Sequence, residues 1–143
     1  MAYRVLGGRR RRVPETMVNA IFNQPTYQAA KSMLDVTVLR HEAISSNLAN
    51  LETPNYRRVD VSPSFQAELQ QAVAAGDTDR MASLKPSIGV DLNAVASNRD
   101  GNTVQLENEL VQLNQNSMEH ALETQLITGS LLRLRLAITG HSN

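Results

Sequence analysis

Cysteine and tryptophan are absent from this chain of 143 residues, and its aromatic content is three tyrosines and two phenylalanines. Without thiols there is no disulfide staple and no thiolate metal site, and the chain can cross an oxidising compartment without mispairing. With aromatics at only 3%, the 41% of hydrophobic residues are mainly Leu, Val, Ile and Ala distributed along helices, which argues against a compact, enclosed pocket. No run of about eighteen apolar residues occurs, and the opening residues lack the apolar core of a cleavable secretory signal. Neither a membrane span nor export by that signal is therefore expected. Also missing are a Gly-rich phosphate loop, a Gly-x-Ser-x-Gly elbow and a His-Glu-x-x-His pair, and the three histidines stand far apart. Glu107 with Glu109, and Glu119 with Glu123, read as solvated helical glutamates. The expectation is a protein with no catalytic residues, no cofactor and no bound metal.

The formal net charge of zero conceals one basic run, Arg9 to Arg12, preceded by Gly7 and Gly8. A four-arginine run without interleaved aromatics or a recognisable binding fold is weak support for a nucleic-acid arm. Residues 1–16 read instead as a flexible basic tail or a mis-called start, with Met17, Val18, Ile21 and Phe22 resembling a helix beginning. Those residues carry five arginines and one glutamate, so without them the net charge becomes −4. No nucleic-acid partner is expected.

Two long helices dominate the remainder. In the N-terminal part, residues 17–58, a helix is expected from after Pro25 to about Asn50, with Tyr27, Ala30, Leu34, Val38, His41, Ile44 and Leu48 along one narrow stripe. His41 reads as a partly buried interface residue. Residues 59–103 form a short middle: a polar-apolar connector from Val59, a short helix over Pro63 to Ala75 with Phe65, Leu69 and Val73 at four-residue steps, then a mobile connector over 76–103. The C-terminal part, residues 104–143, carries Leu106, Leu110, Leu113, Ser117, His120, Thr124, Ile127, Leu131, Leu134 and Ile138 at alternating steps of four and three. That spacing predicts a coiled-coil seam with a polar middle. Val111, Met118, Leu132 and Leu136 add a second apolar flank, more surface than one short partner helix covers, which points to further subunits. Gly129 within the helix is either a kink or a point of close approach. The fold class expected is all-α, its N- and C-terminal helices packed as an antiparallel coiled-coil pair around a short irregular middle.

The most specific segment is Ile44 to Arg58. Asn47, Leu48, Ala49 and Asn50 end the first helix, Thr53 and Pro54 stop it, and Asn55, Tyr56 and Arg57 lead away. The Asn47 and Asn50 amides share a helix face and can bond terminal carbonyls or neighbouring backbone. This corner resembles the signature of the bacterial flagellar rod, hook and hook-associated axial proteins, in which an Asn-x-Ala-Asn run precedes Thr-Pro-Gly-Tyr-Lys or a close relative. Asn55 replaces the usual glycine, and asparagine is the residue that best tolerates positive φ after glycine. A second match, Asp100-Gly101-Asn102-Thr103-Val104, introduces the last helix. The short middle is most similar to the proximal rod subunits, since distal rod and hook proteins insert longer β-rich domains.

The resemblance implies a structural subunit that polymerises through its terminal helices, with Leu34, Val38, Ile44, Leu48, Leu106, Leu110, Leu113, Ile127, Leu131, Leu134 and Ile138 as the assembly seam. It implies delivery to the periplasm by the flagellar type III apparatus, with Phe65 and Leu69 as a possible export element. The partners implied are copies of itself, other rod proteins, the membrane ring, the export gate and the small adaptor at the rod base. Another proximal rod subunit of the same family, or an unrelated helical-bundle adaptor, remains an alternative reading of these residues.

Overall fold

The computed structural model describes residues 24–96 and 99–139. The basic tail over 1–16 and the Met17 to Phe22 beginning lie outside the described residues. Helix α1 spans Pro25–Ala49; Pro25, with φ pre-set for a helix, follows an extended Gln24. It closes at Asn50, whose N–H reaches the Ser46 and Asn47 carbonyls before Pro54 forbids another turn. Strand β1, Val59–Val61, pairs antiparallel with β2, Ile88–Val90, in the register Val59 to Val90, Asp60 to Gly89 and Val61 to Ile88. Between them lie α2, Pro63–Ala75, and α3, Thr78–Ser83. Helix α2 ends at Gly76 with φ +65°, the left-handed cap that glycine adopts without strain. Helix α3 is short enough to depend on its cap, Asp77, whose carboxylate accepts from the Arg80 N–H. The last described element is α4, Leu106–Thr139, about 50 Å long at 1.5 Å per residue.

The apolar core sits between α1 and the middle segment, not between the two long helices. Val36, Val61, Phe65, Leu69, Ala72 and Met81 are buried together, and Ala29, Met33, Leu39 and Leu84 pack against them. Ser32 Oγ adds a bond of 3.3 Å to the Met81 carbonyl. The segment 76–103 thus contains a helix and a strand, both too short to show a period, and is not the featureless connector expected. In α2, Ala72 takes the buried place expected of Val73, which is 44% exposed.

Helices α1 and α4 run antiparallel, as expected, because Asn47 meets Glu109, Arg40 meets Glu119 and Thr37 meets Glu123. The face of α4 turned inward differs from the expected seam. Its buried positions are Glu109, Asn116 and Glu123, a polar row repeating every seven residues. Leu113, Ile127 and Leu134 flank this row half-buried, whereas Leu106, Leu110 and Leu131 are exposed, and the Ile138 side chain lies outside the described residues. On α1, Ile44 is buried and Leu34 and Leu48 are half-buried, but Val38 and His41 face outward. The physical reason is polar matching. Thr37 and Asn47 are fully buried on the facing side of α1 and need hydrogen-bond partners, which leucines cannot supply. Helix α4 continues through Gly129, where an added Cβ meets nothing within 4 Å among the described residues, so no close approach by them explains the glycine.

Candidate functional site

The corner that ends α1 is held by side chains that replace backbone. Asn47 is completely buried and bonds Val59 on both sides of its peptide link: its Oδ1 accepts from the Val59 N–H at 2.9 Å, and its Nδ2 donates to the Val59 carbonyl at 2.9 Å. One amide thereby acts as an extra strand residue and welds β1 to the helix. Asn50 Nδ2 turns back to the Ser46 carbonyl, and Thr53 Oγ1 donates to Asn50 Oδ1. Asn50 thus bonds a carbonyl of its own helix, whereas Asn47 bonds strand backbone twelve residues on and the Glu109 carboxylate. Leu48 is half-buried, Ala49, Pro54 and Arg57 are exposed, and the Tyr56 hydroxyl reaches Ser46 Oγ at 3.0 Å.

The Asp-Gly-Asn segment is the other half of the corner. Asn102, also fully buried, directs its Nδ2 at the carbonyls of Asn50, Leu51 and Thr53, each at 2.9 Å, while its Oδ1 accepts from the Val104 N–H. The orphan carbonyls at the end of α1 are thus satisfied by a residue about fifty positions away. Asn55 does adopt positive φ, 59°, and donates its N–H to the Asp100 carbonyl. Gly101, at φ +76°, passes so close that a Cβ there would lie 2.6 Å from Asn55 Oδ1. Thr103 completes the lock: its N–H donates to the Tyr56 carbonyl, and its Oγ1 accepts from the Arg58 N–H.

Arg58, not Arg57, is the charged hub. Its Nε bonds Glu109 Oε1 at 2.7 Å, one terminal nitrogen bonds Asp91 at 2.8 Å and the other bonds Asp60 at 2.9 Å. Burial opposes the guanidinium charge, but the bonds to Glu109 and Asp60 and their negative charges outweigh it, so its pKa moves above the ordinary arginine value. Glu109 was read from sequence as a solvated helical glutamate; it is fully buried because Arg58 and Asn47 draw it inward. Glu123 was read the same way and is 6% exposed. Burial is the main cause that raises its pKa, Glu119 adds to it, and the Thr37 bond and Arg40 charge oppose it. Arg40 lies between Asp60 at 3.5 Å and Glu119 at 3.1 Å, joining strand and helix.

Arg58, Asp60, Asp91 and Glu109 line one side of an open cleft of about 490 Å³. Every one of these charges is paired, and no nucleophile stands beside a free base there, so the arrangement suits a structural clamp. Among the described residues no cluster of three or more His, Asp or Glu could hold a metal ion, and no helix is long and apolar enough to cross a membrane. Phe65 and Leu69 lie in the core, each 4% exposed. Sequence reasoning did not single out Asp60 or Asp91, named Arg58 and Asn102 only as parts of their motifs, and read Glu109 as solvated. The usable signal was the seven-residue spacing of Glu109, Asn116 and Glu123, a polar row alongside the more conspicuous leucines.

No family model matches the chain. Individual relatives do, across most of their length. Flagellar basal body rod protein FlgB of Borrelia hermsii is 31% identical over 115 residues, covering 68% of this chain and 83% of that protein. FlgB of Bacillus subtilis is 27% identical over 128 residues, 80% of this chain and 94% of the relative, and FlgB of Escherichia coli K12 is 25% identical over 114 residues, 68% and 81%. Signature corner, long terminal helices, short middle and this similarity over most of the chain lead to one assignment: the chain belongs to the FlgB family of flagellar basal body rod proteins.

Proposed function

We propose that the chain is a structural subunit of the flagellar basal-body rod, assembling with copies of itself and with other rod proteins. The observation that carries this reading is the similarity, over most of the chain, to proteins named for the rod, on a fold that leaves many apolar side chains of α4 exposed. Leu106, Leu110, Val111, Met118, Leu122, Leu126, Leu131, Leu132 and Leu136 are all exposed along α4. Such a length of apolar surface on one helix is a surface to be covered in an assembly. The clamp at the corner has a supporting role: it fixes the angle at which the middle segment leaves the helix pair, so that every copy presents the same shape.

In this reading the chain does no catalysis. It is delivered by the flagellar type III apparatus and contacts the export gate, the membrane ring and the rod-base adaptor below. Because Phe65 and Leu69 are buried in the folded chain, they serve as an export element only before folding. The outer leucines Leu106, Leu110 and Leu131, expected as part of the assembly seam, are in this reading contacts between chains. Deleting the gene and imaging the flagellar base by electron cryotomography tests the reading, with complementation as control. Membrane rings without a rod are expected, together with lost swimming; intact rods overturn it.

A further inference from the structure

Exposed charge is divided unevenly along the helix pair. After Glu123, the remainder of α4 carries Arg133 and Arg135 and no carboxylate, and neither arginine forms an ion pair among the described residues. Around these arginines, Leu126, Leu132 and Leu136 are each close to half exposed, and Gly129 lies between them. A glycine inside a helix weakens it relative to alanine. Among the described residues nothing lies within 4 Å of the space its missing side chain leaves, so the notch is open to a neighbour.

The opposite features occur on the outer face of α1. Val38, 55% exposed, stands between Asp35 and Glu42, both exposed, at spacings of three and four residues that keep all three on one side of the helix. An apolar knob flanked by two carboxylates matches a glycine notch flanked by leucines and two arginines. The two surfaces cannot meet within one molecule. Thr37 already packs beside Glu123, and α1 runs antiparallel to α4, so Val38 lies more than two helical turns from Leu132.

We propose that the leucine-arginine face of the C-terminal half of α4 docks on the outer face of α1 of a second copy, with Val38 seated at Gly129 and Arg133 and Arg135 against Asp35 and Glu42. The contact joins unlike surfaces, so it is heterologous and propagates from copy to copy as a filament requires, where a like-with-like contact closes at a dimer. It rests on the rod reading, and it specifies which faces meet. One helix face buries less than the roughly 1,600 Å² of a stable isolated complex, so the contact is best read in the assembled rod.

The chain has no cysteine of its own, which makes disulfide trapping specific. Cells whose only copy carries Val38→Cys and Leu132→Cys are oxidised, and basal bodies are purified and run on a non-reducing gel. The expected result is bands at integer multiples of the chain mass, absent from either single variant. Arg133→Glu with Arg135→Glu should abolish the ladder and swimming, and Asp35→Arg with Glu42→Arg in the same chain should restore both. Rods visible by cryotomography with no ladder, or a dimer from Leu132→Cys alone, overturn the proposed contact while leaving the rod reading intact. Rods that form normally without the gene overturn both.

Discussion

Arg58→Met removes the centre of the charged clamp, and its consequence can be sized from what each partner has left. Glu109 is fully buried and bonded to Arg58 at 2.7 Å; after substitution only the Asn47 amide, at 3.1 Å, faces its charge. Breaking a buried pair by deleting one member costs about 3–5 kcal/mol, because the other charge is left without water or counter-ion. Asp60 and Asp91 are partly solvated, at 26% and 24% exposure, so their lost pairings add no more than about 1 kcal/mol each. Set against the roughly 5–15 kcal/mol of a typical domain, the sum removes much of the stability. In urea denaturation followed by circular dichroism at 222 nm, with a slope of about 2 kcal/mol/M, the midpoint should fall by about 2 M. Arg57→Met, at the exposed neighbour, should change stability by no more than about 0.5 kcal/mol. Arg58→Met combined with Glu109→Met should recover most of the loss, since it removes the orphaned charge as well. A loss below about 1 kcal/mol for Arg58→Met, or a larger one for Arg57→Met, refutes the assignment of the hub.

Asn102→Asp keeps the side-chain shape but turns a donor facing three carbonyls into an acceptor, so it should destabilise by about 3 kcal/mol or more, read as faster amide exchange around Leu51 and Thr53. Glu123 has a folded-state pKa above its ordinary value, so the folded chain holds the proton more tightly and stability falls as pH rises through that window. Glu123→Gln should therefore melt above the parent at neutral pH, with the gap closing as pH drops to about 4.3, the ordinary glutamate value; a lower melting point at neutral pH contradicts this. Leu110→Glu and Leu131→Glu change exposed positions and should leave helix content unaltered while preventing rod assembly. Loss of helix would place these leucines inside the subunit, and normal swimming would show that no neighbour covers them.

The elements that carry strong local chemistry were legible in the sequence. Pro25 and Pro54 bracket α1, Ser62-Pro63 and Gly76 bracket α2, and Asn55 announced a positive φ that the structure contains. The antiparallel pairing of the long helices was also expected, and Asn47 beside Glu109 with Thr37 beside Glu123 shows it. What was not legible depends on contacts distant in sequence. Arg58 and Arg57 are chemically alike, and only the positions of Asp91 and Glu109, far along the chain, decide which one is buried. Asn102 could be noticed as part of a turn but not as the cap of a helix ending at Ala49. The inward face of α4 was misplaced for a related reason. Hydrophobic periodicity identifies faces that avoid water, and it cannot distinguish burial inside a subunit from burial between subunits.

That ambiguity has a physical resolution in the distribution of polar groups. A buried polar side chain is tolerable only with its partners in place, so a seam of Thr37, Asn47, Glu109, Asn116 and Glu123 admits one register and rejects others. The seam is also incompletely satisfied: Asn116 Nδ2 donates to the Thr37 carbonyl, yet its Oδ1 has no partner among the described residues, and Glu123 is buried against its own charge. Each such defect costs about 1–3 kcal/mol. An apolar seam would be tighter but would accept sliding by a heptad, and sliding changes the position of every outward leucine relative to the corner. For a subunit whose neighbours read those leucines, register matters more than the stability of the lone chain. The polar interior and the apolar exterior are in this sense one arrangement: specific but weak contacts set the shape of the subunit, and the non-directional hydrophobic contacts that supply most of the association energy are reserved for the assembly.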